Sequence, residues 1–481
     1  MSETTATPRA PEEAAAPPGA GPGTPTSVLI NFCLADFARA LLSGLITSYL
    51  MVVFIPQPTS SLPVLLPAAA VTFAVVRGVG SVIDAVVDPL IAYVSDRAGG
   101  ASGRRIPFMR WAVVPWAVST ALLVLTPTGH ASWVNTVWVS VFMLVNLVSS
   151  SVYLVPFYAL QAELVTDTHR RVWFFTLNTL FYVVGSAVVF LSPIIKGALD
   201  GAGLSELDAW RATFALFSVI GFVFAAIPAF TVRERRWVRF EPAYVPLLSS
   251  FRATLRYPNF VVLLGAYLIM WVAFTLFNAT LLYYVTMLIG APESFATVVS
   301  GLAIVVGIAS YWPINALARR FGKKPLMVGA CLAYIVIYAA IFWYPVVLQV
   351  MGSTTFAVLI GLLIGFPISV TNILPAAAFA DLTQYDTIKT GVNRAGMFFA
   401  SRNFITSLGQ SLVLFVTPAL VALGSTTGQA TVEGVRLTAG VAAVAIAVAS
   451  VLYWRYDDRH VTATIDEYNA SAQDRVDHSA A

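Results

Sequence analysis

The chain has 481 residues, 58% apolar and 11% charged, with 28 Lys and Arg against 24 Asp and Glu for a net charge of +4. That balance, with a mean hydropathy of +0.79, excludes a soluble enzyme of this length and defines an integral membrane protein with the lipid bilayer as its surroundings. The small positive charge calls for no nucleic-acid partner, and Cys33 and Cys331, far apart in apolar segments, offer neither a disulfide framework nor a metal site.

Residues 1–27 are rich in Ala, Pro, Gly and Thr and lack a basic stretch ahead of an apolar core, so they read as a disordered cytoplasmic tail rather than a signal. Spans of about 20 apolar residues follow. Six lie near 28–55, 64–95, 108–127, 133–164, 173–194 and 211–231, within a unit covering 28–232. The polar stretch 233–258 is a middle loop. A second unit, 259–456, holds spans near 259–287, 296–318, 325–346, 354–380, 395–423 and 434–455, and the polar end 457–481 reads as another cytoplasmic tail.

With the N-terminus cytoplasmic, 22 of the 28 Lys and Arg lie on the cytoplasmic side. Three (Lys196, Arg211, Arg436) lie outside and three (Arg39, Arg77, Arg402) lie within spans. The positive-inside rule then places both termini in the cytoplasm. Abundant Arg and Ala suggest a GC-rich bacterial genome and hence a bacterial inner membrane.

The two units repeat. DPLIAYVSDRAGGASGRR after the second span matches PINALARRFGKK after the eighth, and VYLVPFYALQAEL in the fourth matches TNILPAAAFADL in the tenth. Both offsets are about 220 residues, the pattern of a two-bundle secondary transporter with its site between the halves. The expected fold is an all-α polytopic membrane protein: twelve transmembrane helices in two pseudo-symmetric six-helix bundles.

Within the spans stand three acids, Asp36, Asp84 and Asp88, and the three arginines, so the formal charges cancel. Charges at membrane depth are costly and mark functional sites. Asp84 and Asp88 are one turn apart, about 6 Å along the helix, on the face that carries Arg77. Both carboxylates can reach one Na⁺ or proton, which relieves their mutual repulsion. The alternative is that Arg77 neutralises the pair permanently. Pro156, Pro367 and Pro375 are expected to break helices beside a cavity. All four histidines lie in loops or tail, and HExxH, P-loop and nucleophile-elbow motifs do not occur in a plausible context, so an enzyme is not expected.

The first cytoplasmic turn, with Asp96, Arg97, Gly103, Arg104 and Arg105, resembles the loop signature of the major facilitator superfamily. Ala92 stands in place of its usual glycine, and Arg319 in place of the usual aspartate of the second copy. RGVGSVIDAVVDPLIAYVSDR resembles the second-helix signature of the glycoside-pentoside-hexuronide:cation symporters, and FADLTQYDTIKTGVNRAGMFFASRNF a later segment of that family.

The resemblance implies Na⁺- or H⁺-coupled symport of a sugar, glycoside or similar small polar solute, with no cofactor beyond the coupling ion. It implies Asp84, Asp88 and Ser151 as cation ligands and Asp36 as a sugar ligand. Ser81, Leu154, Asn178 and Ser407 replace charged residues of the family and Tyr158 its aromatic, so Arg77 and Arg402 are expected to supply cations from new positions. Substrate contacts are thus expected at Asp36, Arg77, Tyr158, Asn178 and Arg402. Asp96, Arg105, Glu163, Arg170, Arg319, Asp381 and Arg394 are expected to close the cytoplasmic ends in an outward-facing state. The rival readings are transport of a lysolipid or other amphipath, and a non-transporting scaffold or sensor.

Overall fold

The computed structural model describes residues 24–98, 103–165, 168–234, 257–390, 395–425, 429–465 and 467–468, apart from some side chains within them. The first half contains α1 (Thr26–Phe54), α2 (Ala69–Arg97), α3 (Ile106–Leu122), α4 (Trp133–Glu163), α5 (Thr168–Val189), α6 (Ser192–Gly201) and α7 (Glu206–Thr231). The second contains α8 (Pro258–Tyr283), α9 (Ser294–Ala309), α10 (Tyr311–Phe321), α11 (Lys323–Phe342), α12 (Tyr344–Val350), α13 (Ser353–Thr390), α14 (Ala395–Val421) and α15 (Val432–Arg455). Among the described residues no strand occurs.

Among the described residues, eight helices are long and apolar enough to cross a membrane, and the bent pair α9–α10 makes a ninth span. The other three are α2, α3 and α14, which stand where the second, third and eleventh spans are expected. The twelve-helix reading therefore holds.

Three local expectations are corrected. The eighth span is not continuous: α9 and α10 meet at 50°. Pro313 lacks an amide hydrogen, and its ring would collide with the Ala309 carbonyl in a straight helix. Conversely, Pro156 lies inside α4, and Pro367 and Pro375 inside the 38-residue α13, without ending either helix. The end after Asp457, expected as a tail, is helical at 458–465. Asp457 Oδ1 accepts from His460 N at 3.1 Å as an N-cap, and Val461 and Ile465 are buried.

Small residues bring helices together within each half. A Cβ on Gly185 of α5 would stand 2.7 Å from the Phe37 carbonyl of α1, and one on Gly365 of α13 would stand 2.6 Å from the Ala303 carbonyl of α9. Between the halves, α1 packs on α8 and α2 on α14. The halves are tied at the end away from the termini. There Tyr283 Oη donates to Ile55 O at 2.8 Å, Ala430 N to Pro56 O at 3.0 Å, and Thr297 Oγ1 to Phe190 O. Lys196 also pairs with Glu293 there at 3.1 Å. The cavity between the halves is thus closed off at the end away from the termini.

Candidate functional site

The central cavity has a volume of about 570 Å³ and draws its lining from both halves. On α2, Val79, Val86, Leu90 and Tyr93 are exposed on the outer face, while Arg77, Asp84 and Asp88, spaced seven and four, turn to the cavity. Sequence spacing thus becomes a one-sided charged stripe. On α4, Ser151, Leu154 and Tyr158 form a second stripe along the cavity wall. Ser151 Oγ donates to Asp84 Oδ1 at 2.8 Å and lies within reach of Asp88 as well. Two carboxylates and a hydroxyl offer hard oxygen donors suited to a small cation. Earlier on the same helix, Asn146 fixes α4 to α3 by donating to Thr120 Oγ1 at 2.8 Å and Ser119 Oγ at 3.1 Å.

Arg77 is 8% exposed and approaches Met143 Sδ at 3.7 Å from its Nη1. It lines the cavity on the same helix as the acids.

The expected Asp36 contact is displaced. Asp36 is 4% exposed and absent from the described lining; it sits behind Arg39, whose Nε donates to it at 3.0 Å. Arg39 itself faces the cavity, its guanidinium 4.0 Å from the Tyr182 ring centroid and 5.9 Å from that of Tyr158. Arg39, Ser43 and Thr47 recur every fourth residue on α1 and all line the cavity. That i, i+4, i+8 polar spacing was the sequence signal for this face.

Two further expected substrate residues lie off the described lining. Asn178 is 3% exposed, off the described lining, and donates to Phe174 O within its own helix at 2.9 Å. Arg402 also lies off the described lining, its guanidinium 5.8 Å from the Tyr267 ring and 5.7 Å from that of Phe379. The helical phase of Asn178 turns it toward helix packing. From the second half, Trp271, Asn278, Tyr311, Asn372, Ser407 and Gln410 complete the cavity.

The described contacts of the expected gate residues lie within each half. Glu234 accepts from Arg105 N at 2.8 Å and Ile106 N at 3.1 Å, capping the start of α3. Arg170 donates to Thr24 O at 2.8 Å, and Asp381 pairs with Lys323. Arg319 is exposed on the last turn of α10. The side chains of Asp96, Glu163 and Ser81 lie outside those described, as does all of Arg394.

The family described as MFS/sugar transport protein matches residues 36–457. The uncharacterized symporter YnaJ of Bacillus subtilis is 23% identical over 400 residues, covering 82% of this chain and 81% of that protein. The isoprimeverose transporter of Lactiplantibacillus pentosus is 22% identical over 406 residues, covering 83% and 81%. The crystal structure of the nucleoside transporter NupG superposes with a TM-score of 0.61 at 14% identity, covering 89% of this chain and 99% of that one, which supports the fold. With this fold, and with its cavity between two six-helix halves, the chain is a transporter rather than an enzyme and belongs to the MFS/sugar transport family of glycoside–cation symporters.

Proposed function

We propose that the protein carries out secondary active symport of a sugar or glycoside with Na⁺ or H⁺ by alternating access, in a bacterial inner membrane with both termini cytoplasmic. The observation that carries this reading is the triad of Asp84, Asp88 and Ser151, oxygen donors from two helices of one half, on the wall of the inter-half cavity. A bound cation neutralises the carboxylates, and the occupied site then favours substrate in the same cavity. Hydroxyls and amides of Ser43, Thr47, Asn278, Asn372 and Gln410 suit sugar hydroxyls, while Trp271, Tyr158 and Tyr182 offer faces to the ring.

The conformation described has its cavity toward the termini, that is, inward. Arg105, Arg170, Arg319 and Asp381, with Asp96, Glu163 and Arg394, are proposed to meet across the halves when that end closes. Ligand binding to the purified protein tests the reading: isoprimeverose and a panel of mono- and disaccharides, in Na⁺ against choline and at two pH values. Ion- or pH-stimulated binding of at least one sugar is expected. Binding that ignores both ions, or no sugar binding at all, contradicts it.

A further inference from the structure

At the closed end a second cluster stands apart from the cavity. Lys196 of α6 is 6% exposed, and its Nζ lies 2.8 Å from Asp200, 3.0 Å from Glu206 and 3.1 Å from Glu293. An ammonium has three donors, and here each has a carboxylate. The partners differ in origin. Asp200 is on the same helix and Glu206 opens α7, both in the first half, whereas Glu293 precedes α9 in the second.

Glu206 is anchored independently. Its Oε2 accepts from Ser60 Oγ at 2.9 Å, Ser61 N at 2.8 Å and Ser61 Oγ at 2.7 Å. Lys196, Asp200, Glu206, Ser60 and Ser61 therefore form a unit that remains intact if the halves part, and Glu293 is the carboxylate that reaches it from across the seam. Burial there pushes the Glu293 carboxyl up from its ordinary value, with Lys196 opposing. Release to water removes that penalty, so the contact is suited to repeated making and breaking.

We propose that Lys196 is the latch of this end: held to the first half by Asp200 and Glu206, it captures Glu293 when the cavity faces the termini and releases it when the cavity opens the opposite way. The proposal rests on the alternating-access reading. Its geometry is an ion pair spanning the same seam as Tyr283–Ile55 and Ala430–Pro56, but one that water can replace.

The test uses the full chain in right-side-out membrane vesicles with Ser300→Cys as a reporter, since Ser300 lines the cavity and is buried. Cys33 and Cys331 are fully buried and leave the background low. Labelling by a membrane-impermeant maleimide is compared for the reporter alone and with Glu293→Ala, Glu293→Asp or Lys196→Gln. Glu293→Ala leaves the first-half unit intact and is expected to raise the labelling rate by roughly five-fold, with Glu293→Asp restoring most of the protection. Lys196→Gln is expected to move in the same direction as Glu293→Ala.

Unchanged labelling in a Glu293→Ala protein that elutes as a folded monodisperse species overturns the latch. Because the readout requires no sugar or ion, its failure is distinct from a failure of the symport reading, which wild-type uptake decides separately.

Discussion

Ser151 Oγ donates to Asp84 Oδ1 at 2.8 Å, joining α4 to α2 at the cavity wall. The contact fixes one carboxylate and leaves Asp88, one turn further along the same face, to share the hydroxyl's surroundings. If this is the cation site, Ser151→Ala removes one neutral oxygen ligand and keeps both charges. A hydrogen bond to a charged group is worth about 1.5–3 kcal/mol, so the cation concentration for half-maximal uptake is expected to rise by about tenfold or more. Ion titration of uptake checks this, and an unchanged half-maximal concentration assigns Ser151 to packing alone.

Arg39 and Asp36 separate contact from positioning. Asp36 is the buried counterion and Arg39 the cavity-facing member. Asp36→Asn is expected to destabilise the protein by roughly 1.5–3 kcal/mol by removing the charged partner of a guanidinium that faces the cavity. The double change Asp36→Asn with Arg39→Gln is expected to recover most of the melting temperature without recovering sugar uptake. Recovery of uptake in the double variant would remove Arg39 from the substrate site.

Gly365 sets the approach of α13 to α9. A methyl group there meets Ala303 O at 2.6 Å, Val306 Cβ at 2.7 Å and Gly307 N at 3.0 Å, mostly backbone that a rotamer change cannot move. Gly365→Ala is expected to destabilise by about 1–3 kcal/mol. Gly301→Ala in α9, where the added Cβ meets nothing within 4 Å, is the matched control. Thermal melts in detergent compare the two.

The helix at 458–465 ties the chain's end to the second half. Asp457 caps it, Asp457 N donates to Asn259 Oδ1 at 2.9 Å, and Tyr385 Oη meets His460 Nε2 at 3.1 Å. Asp457→Ala is expected to lower stability by about 1 kcal/mol through loss of the cap. Truncation after Tyr456, which also removes buried Val461 and Ile465, is expected to lower it further, as a thermal melt would register.

The spans and the repeat were legible because hydropathy over about 20 residues is a strong signal that needs no tertiary context. The acidic pair was legible for a related reason: Asp84 and Asp88 have no inexpensive alternative in an apolar helix. Ser151 came through resemblance, since a serine on an apolar helix carries little signal of its own. Arg402 and Asn178 lie off the described lining, which the sequence does not reveal because spacing along one helix does not say which neighbour that face meets. Asp36 and Arg39 differ only in phase: three residues turn one into the interior of the bundle and the other into the cavity. The helix after Asp457 was missed because a short polar segment draws its stability from the surface it packs on. By contrast, the break at Ser310 was readable from Pro313.

The central claim is that Asp84 and Asp88 bind the coupling cation. It is tested most directly by gradient-driven sugar uptake into proteoliposomes by the wild type and by Asp84→Asn and Asp88→Asn, with imposed Na⁺ or proton gradients and matched amounts of folded protein. The account predicts that the wild type accumulates sugar under one of the two gradients and that each variant loses that accumulation. Undiminished gradient-dependent accumulation by both variants would contradict it.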